Sequence, residues 1–175
     1  IMYAILTVFL CGLMVGRTPE FLTKKIEAKE IKLVAFAIII HPFLILMSSA
    51  LALTTKQGLA GISNPGFHGL TQILYQFTSA AANNGSGFGG LVSNTMFWNV
   101  STGVVIFLGR YLSIIILLAV AGSLAAKKSV PVTSGTFKTD NTIFTATLIV
   151  IVIIIGALTF LPAVALGPIS EYLTL

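Results

Sequence analysis

Long apolar stretches alternate along this chain with short polar segments, and this alternation predicts its elements. Residues 33–53, 104–126 and 142–166 are almost entirely apolar. At a rise of about 1.5 Å per residue, helices of this length cross the roughly 30 Å of hydrocarbon in a bilayer. Residues 1–15 form a fourth, shorter apolar stretch, which we interpret as the end of another transmembrane helix. The pattern therefore predicts an all-α membrane protein.

The segment between residues 53 and 104 has a different pattern. Residues 69–82 place apolar side chains at helical intervals, yet this segment is too short to cross a bilayer. Residues 83–90 follow at once with the sequence NNGSGFGG, which is polar, uncharged and rich in glycine. Irregular backbone at membrane depth is tolerated only where it is buried in protein or lines a watery cavity. A short helix that enters the membrane, followed by a polar segment that leads the chain back out on the same side, is typical of a re-entrant pore loop.

Composition and charge agree with a membrane location. The chain is 56% hydrophobic and only 9% charged, with a mean hydropathy of +1.01, whereas soluble domains carry about 25% charged residues. The net charge of +5 arises mainly in residues 16–32 and 127–141, and basic loops mark the cytoplasmic side. We therefore expect these two loops inside, and the pore loop and the C-terminal tail outside. The single cysteine gives no disulfide framework, and nothing in the charge pattern requires nucleic-acid binding.

The glycine-rich segment has the composition of an ion filter. No Asp or Glu occurs between residues 33 and 126, so a ring of carboxylates cannot select the ion there. Backbone carbonyl oxygens remain, assisted by Asn83, Asn84 and Ser86. Carbonyls without full charges suit a monovalent cation better than Ca²⁺ or Mg²⁺, and K⁺ is the natural candidate. The competing interpretation is that the glycines only let a loop pack tightly against neighbouring helices.

Two further residues interrupt the apolar spans. Arg110 lies well inside the predicted span 104–126, where a charge costs about 2.5–3.5 kcal/mol on insertion scales. We interpret it as a fixed positive charge beside the ion path, and the alternative is a cation that caps the carbonyl ends of a broken helix. His41 lies in the first span, and a lone histidine there is better explained by packing than by proton transfer.

Several motifs, in order along the chain, are similar to those of one family. They are GRTPE at 16–20, NPGFHG at 64–69, SAAANNGS at 79–86, AGSL at 121–124 and GALTF at 156–160. On these residues the chain resembles the KdpA family, the potassium-binding subunits of bacterial Kdp ATPases, and it looks like the C-terminal third of such a subunit. The family resembles the Trk/Ktr/HKT superfamily, which implies four membrane–pore–membrane repeats around one filter.

The resemblance also implies a division of the chain. Its parts would be the end of the third repeat at 1–15, a cytoplasmic loop at 16–32, the fourth repeat at 33–126, a second cytoplasmic loop at 127–141, and a terminal helix with a short outer tail at 142–175. The pore helix would cover about 69–82 and the filter about 83–90. Gly85 would be the filter glycine, flanked by Asn83, Asn84, Ser86 and Gly87.

The function that the resemblance implies is K⁺ selection for an ATP-driven uptake complex in the bacterial inner membrane. The implied partners are a KdpB-like ATPase subunit, which hydrolyses ATP, and KdpC-like and KdpF-like subunits. This chain would be non-catalytic and bind K⁺ but not ATP, because it has no phosphate loop and no phosphorylatable Asp motif. The alternative is a freestanding K⁺ channel or secondary transporter of the Trk/Ktr/HKT type. An intramembrane enzyme using His41 or Arg110 would lack a paired acid.

Overall fold

A computed structural model describes residues 1–131, 133, 136 and 138–174, with Phe160 described by its backbone alone. The described chain is mostly helical and has one two-stranded hairpin. Its elements, in chain order, are α1 Met2–Val15, β1 Glu20–Phe21, β2 Lys24–Lys25, α2 Ala28–Thr54, α3 Lys56–Leu59, α4 Phe67–Ala81, α5 Met96–Ala125 and α6 Thr142–Tyr172.

Three of these helices are long and apolar enough to cross a membrane: α2, α5 and residues Thr142–Thr159 of α6. The prediction of an all-α protein with several membrane spans is confirmed. The helices extend beyond the apolar stretches, since α5 begins at Met96 and α6 continues through Pro162 and Pro168 to Tyr172. Apolar surroundings favour helix wherever the backbone would otherwise lack hydrogen-bond partners, so helix ends do not follow hydropathy alone.

The chain divides into two compact units, and the first comprises residues 1–38 and 114–157. Its core holds buried side chains from α1, α2, α5, α6 and the segment between β2 and α2, namely Ile5, Val8, Ile26, Val34, Val120 and Phe144. Helix α1 ends at Gly16, which adopts the left-handed conformation at φ 68° that glycine accepts without strain.

Part of the segment 16–32 is more ordered than the loop that the sequence predicts. It forms the β1–β2 hairpin and the first turn of α2, and Glu20 and Glu30 are buried. The Glu30 carboxylate accepts hydrogen bonds from the Glu27 backbone N–H at 2.9 Å, from Ser123 Oγ at 2.5 Å and from Lys127 Nζ at 2.7 Å. These partners satisfy a charge that would otherwise be costly to bury.

The second unit comprises residues 39–113 and 158–174. Its centre is Trp98, which is fully buried and lies against the Phe77 ring with a centroid distance of 5.4 Å. The loop before α4 is fixed by Gln72, whose side-chain oxygen accepts from the Ser63 backbone N–H and whose amide donates to Ser63 Oγ, both at 3.2 Å. The last turns of α6 lie beside the first turn of α4, where Glu171 Oε1 is 2.6 Å from His68 Nε2. Helix α4 is thus held at its start and along its length.

Candidate functional site

The site begins where α4 ends, and two asparagines close the helix. Ala82 is the C-cap, and Asn83 follows in the left-handed region at φ 54°. The Asn83 N–H donates to Ala80 O at 3.1 Å and the Asn84 N–H donates to Ser79 O at 3.0 Å. This is the Schellman pattern, in which asparagine is one of the few non-glycine residues accepted at the left-handed position. Gly85 also has a positive φ, 84°, which glycine adopts without strain.

The backbone after this turn leaves most of its carbonyl oxygens unpaired. None of the described residues donates a hydrogen bond to the carbonyl oxygens of Asn83, Asn84, Gly85 or Gly87. Asn84, Gly85 and Gly87 are exposed and Asn83 is half-buried, so these oxygens are open to a partner from outside the chain, and lipid offers them no donors. Such oxygens therefore need water or a cation as a partner.

A cavity of about 370 Å³ lies against this segment. It is lined by residues from α4, from the segment after it and from α5: Gln76, Ser79, Ala80, Asn83, Gly85, Ser86, Gly87, Phe88, Leu91, Ser93, Thr102 and Ile106. All of these lining residues are uncharged. The described residues also contain no cluster of three or more His, Cys, Asp or Glu. The oxygens that the cavity offers to a cation are therefore neutral.

Hydroxyl groups of α4 fix the middle of the segment. Ser79 Oγ donates to the Ser86 carbonyl at 2.5 Å and lies 3.1 Å from Ser86 Oγ, which is 3.0 Å from Tyr75 Oη. Each hydroxyl has one proton, so the consistent arrangement runs from Tyr75 to Ser86 Oγ, from there to Ser79 Oγ, and from Ser79 to the Ser86 carbonyl. This hydroxyl chain ties the Ser86 carbonyl to the helix.

Helix α5 holds the other side of the segment. Asn83 Nδ2 donates to Ile106 O at 3.4 Å and to Ala81 O at 3.3 Å. Gly109 allows the close approach, because a Cβ at that position would lie 2.5 Å from Ala81 O. The end of α4 and the middle of α5 therefore form one contact directly beside the cavity.

Four of the five residues that the sequence predicts for the filter line the cavity: Asn83, Gly85, Ser86 and Gly87. Asn84 is absent from the lining, and its backbone N–H closes the helix. Arg110 is also absent from the lining, but it follows Thr102 and Ile106 at intervals of four residues, so the three share one face of α5. The Arg110 side chain is exposed and makes no hydrogen bond or ion pair with any described residue.

Sequence reasoning missed Tyr75, Gln76 and Ser79 on α4, and Thr102 and Ile106 on α5. One signal was available. The polar side chains of α4 recur near its C-terminal end, on the turns closest to the glycine-rich segment. The α5 residues had no such signal, because their role depends on a tertiary contact.

Comparison with known proteins identifies the family. Residues 1–173 match the family model KdpA, described as the potassium-transporting ATPase A subunit. Three similar relatives are each named potassium-transporting ATPase potassium-binding subunit. They come from Clostridium acetobutylicum, 89% identical over 175 residues, Caldanaerobacter subterraneus subsp. tengcongensis, 63% identical over 175 residues, and Geobacillus kaustophilus, 62% identical over 174 residues.

These alignments cover 100%, 100% and 99% of this chain, and 31% of each relative. The chain thus spans about a third of the length of the curated relatives that it matches. The family match covers nearly every residue, including the cavity and both helices that form it. The chain belongs to the KdpA family, the A subunits of potassium-transporting ATPases.

Proposed function

We propose that this chain supplies one quarter of a K⁺ filter in the potassium-binding and translocating subunit of an ATP-driven uptake complex. The observation that carries the proposal is the set of unpaired carbonyl oxygens at Asn83, Gly85 and Gly87, on residues that line an uncharged cavity. Such oxygens can replace the hydration shell of a monovalent cation. The names of the relatives, potassium-binding subunits, support K⁺ as that cation.

In this proposal α4 is a re-entrant pore helix that enters from outside. Its C-terminal end, which carries about half a negative charge, would point at the filter and favour a cation there. The basic loops at 16–32 and 127–141 would be cytoplasmic. One loop cannot surround an ion, so three equivalent loops would come from the rest of the subunit.

The chain itself would be non-catalytic and bind K⁺ without binding ATP. A KdpB-like subunit would hydrolyse ATP, with KdpC-like and KdpF-like subunits completing the complex. The support for an ATPase partner is the family description, which names a subunit of a potassium-transporting ATPase. Arg110 would add a fixed positive charge to the ion path, one helical turn beyond the cavity-lining Ile106.

The substitution Gly85→Asp in the full-length complex tests the filter. Gly85 has room for a side chain, since an added Cβ meets nothing within 4 Å, but its φ of +84° and its position on the cavity make a charged residue disruptive there. We expect the apparent KM for K⁺ in ATP hydrolysis to rise about tenfold or more and discrimination against Rb⁺ and Na⁺ to weaken. The measurement is ATPase activity of the purified complex titrated with each ion.

Gly16→Asp is the matched control, because Gly16 also has a positive φ and open space but lies far along the chain at the end of α1. It should leave ion affinity unchanged. Wild-type affinity and selectivity in a well-assembled Gly85→Asp complex would show that the segment is only a packing loop. K⁺ flux through the wild-type protein without any K⁺-stimulated ATPase would favour the freestanding channel or transporter instead.

A further inference from the structure

One polar group beside the cavity has no partner in the part of the chain that the structure describes. Gln76 lies on α4 and lines the cavity, and its side-chain oxygen Oε1 is inaccessible to solvent and accepts no hydrogen bond. This oxygen also lies next to the filter backbone, 3.6 Å from the position that a Cβ on Gly87 would occupy. A buried acceptor without a donor is unfavourable, so the presence of this unpaired oxygen needs an explanation.

The other glutamine of α4 shows what a purely structural role looks like. Gln72 lies one turn earlier and is fully buried, and both ends of its amide are hydrogen-bonded to Ser63. Gln72 therefore ties α4 to the preceding loop. Gln76 makes no such bond to a described residue, and Gly87, the glycine next to its oxygen, has a carbonyl that no described residue pairs.

We propose that Gln76 is a specificity-determining residue of the filter, and this rests on the function proposed above. Its amide oxygen is a neutral oxygen ligand beside Gly87. This oxygen is shielded from solvent in the structure, so a rotation of the side chain would bring it to a K⁺ ion that is losing water at the backbone carbonyls. Ion selectivity in a carbonyl-lined filter depends on the number and strength of the dipoles that face the ion. The Gln76 amide adds one side-chain dipole to those of the backbone.

The test replaces Gln76 by methionine in the full-length complex, because methionine has similar length and volume but only a weak thioether acceptor. We expect the apparent KM for K⁺ to rise about tenfold, kcat to stay near the wild-type value, and the ratio of the KM values for K⁺ and Rb⁺ to change. The matched control is Gln72→Met, which removes an amide from the same helix. It should lower the thermal unfolding midpoint, because Ser63 loses its partners, while the K⁺/Rb⁺ ratio stays that of the wild type.

A second variant keeps the proposal testable if Gln76→Met does not assemble. Gln76→Glu retains an oxygen at the same distance along the side chain and adds a negative charge, so it should lower the KM for K⁺ and Na⁺ alike and narrow the difference between them. The proposal is overturned if either variant assembles with wild-type affinity and ion ratio. If Gly85→Asp changes selectivity and the Gln76 variants do not, only this inference fails. If the wild-type complex shows no K⁺ stimulation, the proposed function fails with it.

Discussion

At the scale of single residues, Gly109 decides how closely α5 approaches the end of α4. A Cβ at Gly109 would lie 2.5 Å from Ala81 O and 3.1 Å from Ala81 Cα, and backbone atoms of a helix cannot move aside like a flexible side chain. Asn83 lies two residues after Ala81, and its side chain donates to Ile106 O, which is on the same stretch of α5 as Gly109. Any displacement at Gly109 is therefore transmitted directly to the first residues of the candidate filter.

We accordingly expect Gly109→Ala to lower the stability of the full-length complex by about 1–3 kcal/mol through overpacking, and to raise the KM for K⁺. The matched control is Gly103→Ala on the same helix, where an added Cβ meets nothing within 4 Å. Alanine is favoured over glycine in a helix by about 1 kcal/mol, so this control should be neutral or stabilising. Thermal unfolding in detergent and K⁺ titration of ATPase activity measure both effects. Equal behaviour of the two variants would contradict the contact.

The irregular backbone of the candidate filter segment could be predicted from sequence better than the residues that contact it. Glycine and asparagine after an apolar helix are local signals of an irregular backbone, because backbone conformation depends mainly on neighbouring residues, and on these signals 83–90 was proposed as the filter. Ser79 and Gln76 gave only the weaker signal of polar side chains near the end of α4, since serine and glutamine occur on many helices. Their importance follows from the position of Ser86 and Gly87 in space.

At the scale of elements, the start of α2 is held by a cluster that joins segments far apart in sequence. The Glu30 side chain is only 1% exposed, and Lys127 Nζ contacts Glu30 at 2.7 Å and Glu27 at 3.1 Å. Lys127 Nζ also donates to Lys25 O at 2.9 Å, and Lys24 Nζ donates to Lys127 O. Glu30 in turn accepts from the N–H of Glu27, the residue before α2, as in half of a capping box.

We expect Lys127→Met to destabilise the full-length protein by about 1.5–3 kcal/mol, the range for hydrogen bonds to charged groups, because it leaves the Glu30 carboxylate buried without its cation. Lys128→Met is the control, since Lys128 is exposed and makes no side-chain bond to a described residue. Thermal unfolding midpoints of the two variants give the comparison. A loss of similar size for both would mean that the cluster adds no stability of its own.

The pH dependence of the stability lost in Lys127→Met follows from the ammonium group of Lys127. Partial burial lowers the pKa of Lys127, but its bonds to Glu30 and Glu27 outweigh that effect and raise the pKa above its ordinary value. A raised pKa in the folded state means that the stabilisation is complete below the ordinary lysine pKa and disappears only as pH rises through the raised value. The difference between Lys127→Met and the wild type should thus stay constant from about pH 6 to pH 9.

The sequence predicted the spans well and this cluster poorly. Apolar length is a property of composition, so α2, α5 and α6 could be found without tertiary information. The alternating Lys and Glu of 16–32 are typical of a solvated segment, and the buried position of Glu30 depends on Ser123 and Lys127, which are more than ninety residues away. Charge patterns predict exposure only when no distant partner is available.

At the scale of the whole molecule, Arg110 is distinguished by its place in the distribution of charge, at the middle of a long apolar helix. The chain has two arginines, one at the end of α1 and one at the middle of α5. Helix α5 is continuous across Arg110. The Arg110 side chain shares a face of the helix with Thr102 and Ile106, which line the cavity.

A positive charge in that position should oppose the uncontrolled passage of K⁺ beyond the filter, and its removal should open a leak. We expect Arg110→Gln in the full-length complex, reconstituted in vesicles without ATP, to raise passive Rb⁺ tracer uptake about tenfold, which corresponds to about 1.4 kcal/mol. Arg17→Gln removes the same charge from the exposed end of α1 and should leave tracer uptake unchanged. Because neither variant adds bulk, an increase in Rb⁺ uptake that occurs only in Arg110→Gln would indicate that the lost charge lies beside the ion path. Equal tracer uptake by the wild type and a fully assembled Arg110→Gln complex would exclude Arg110 from that path.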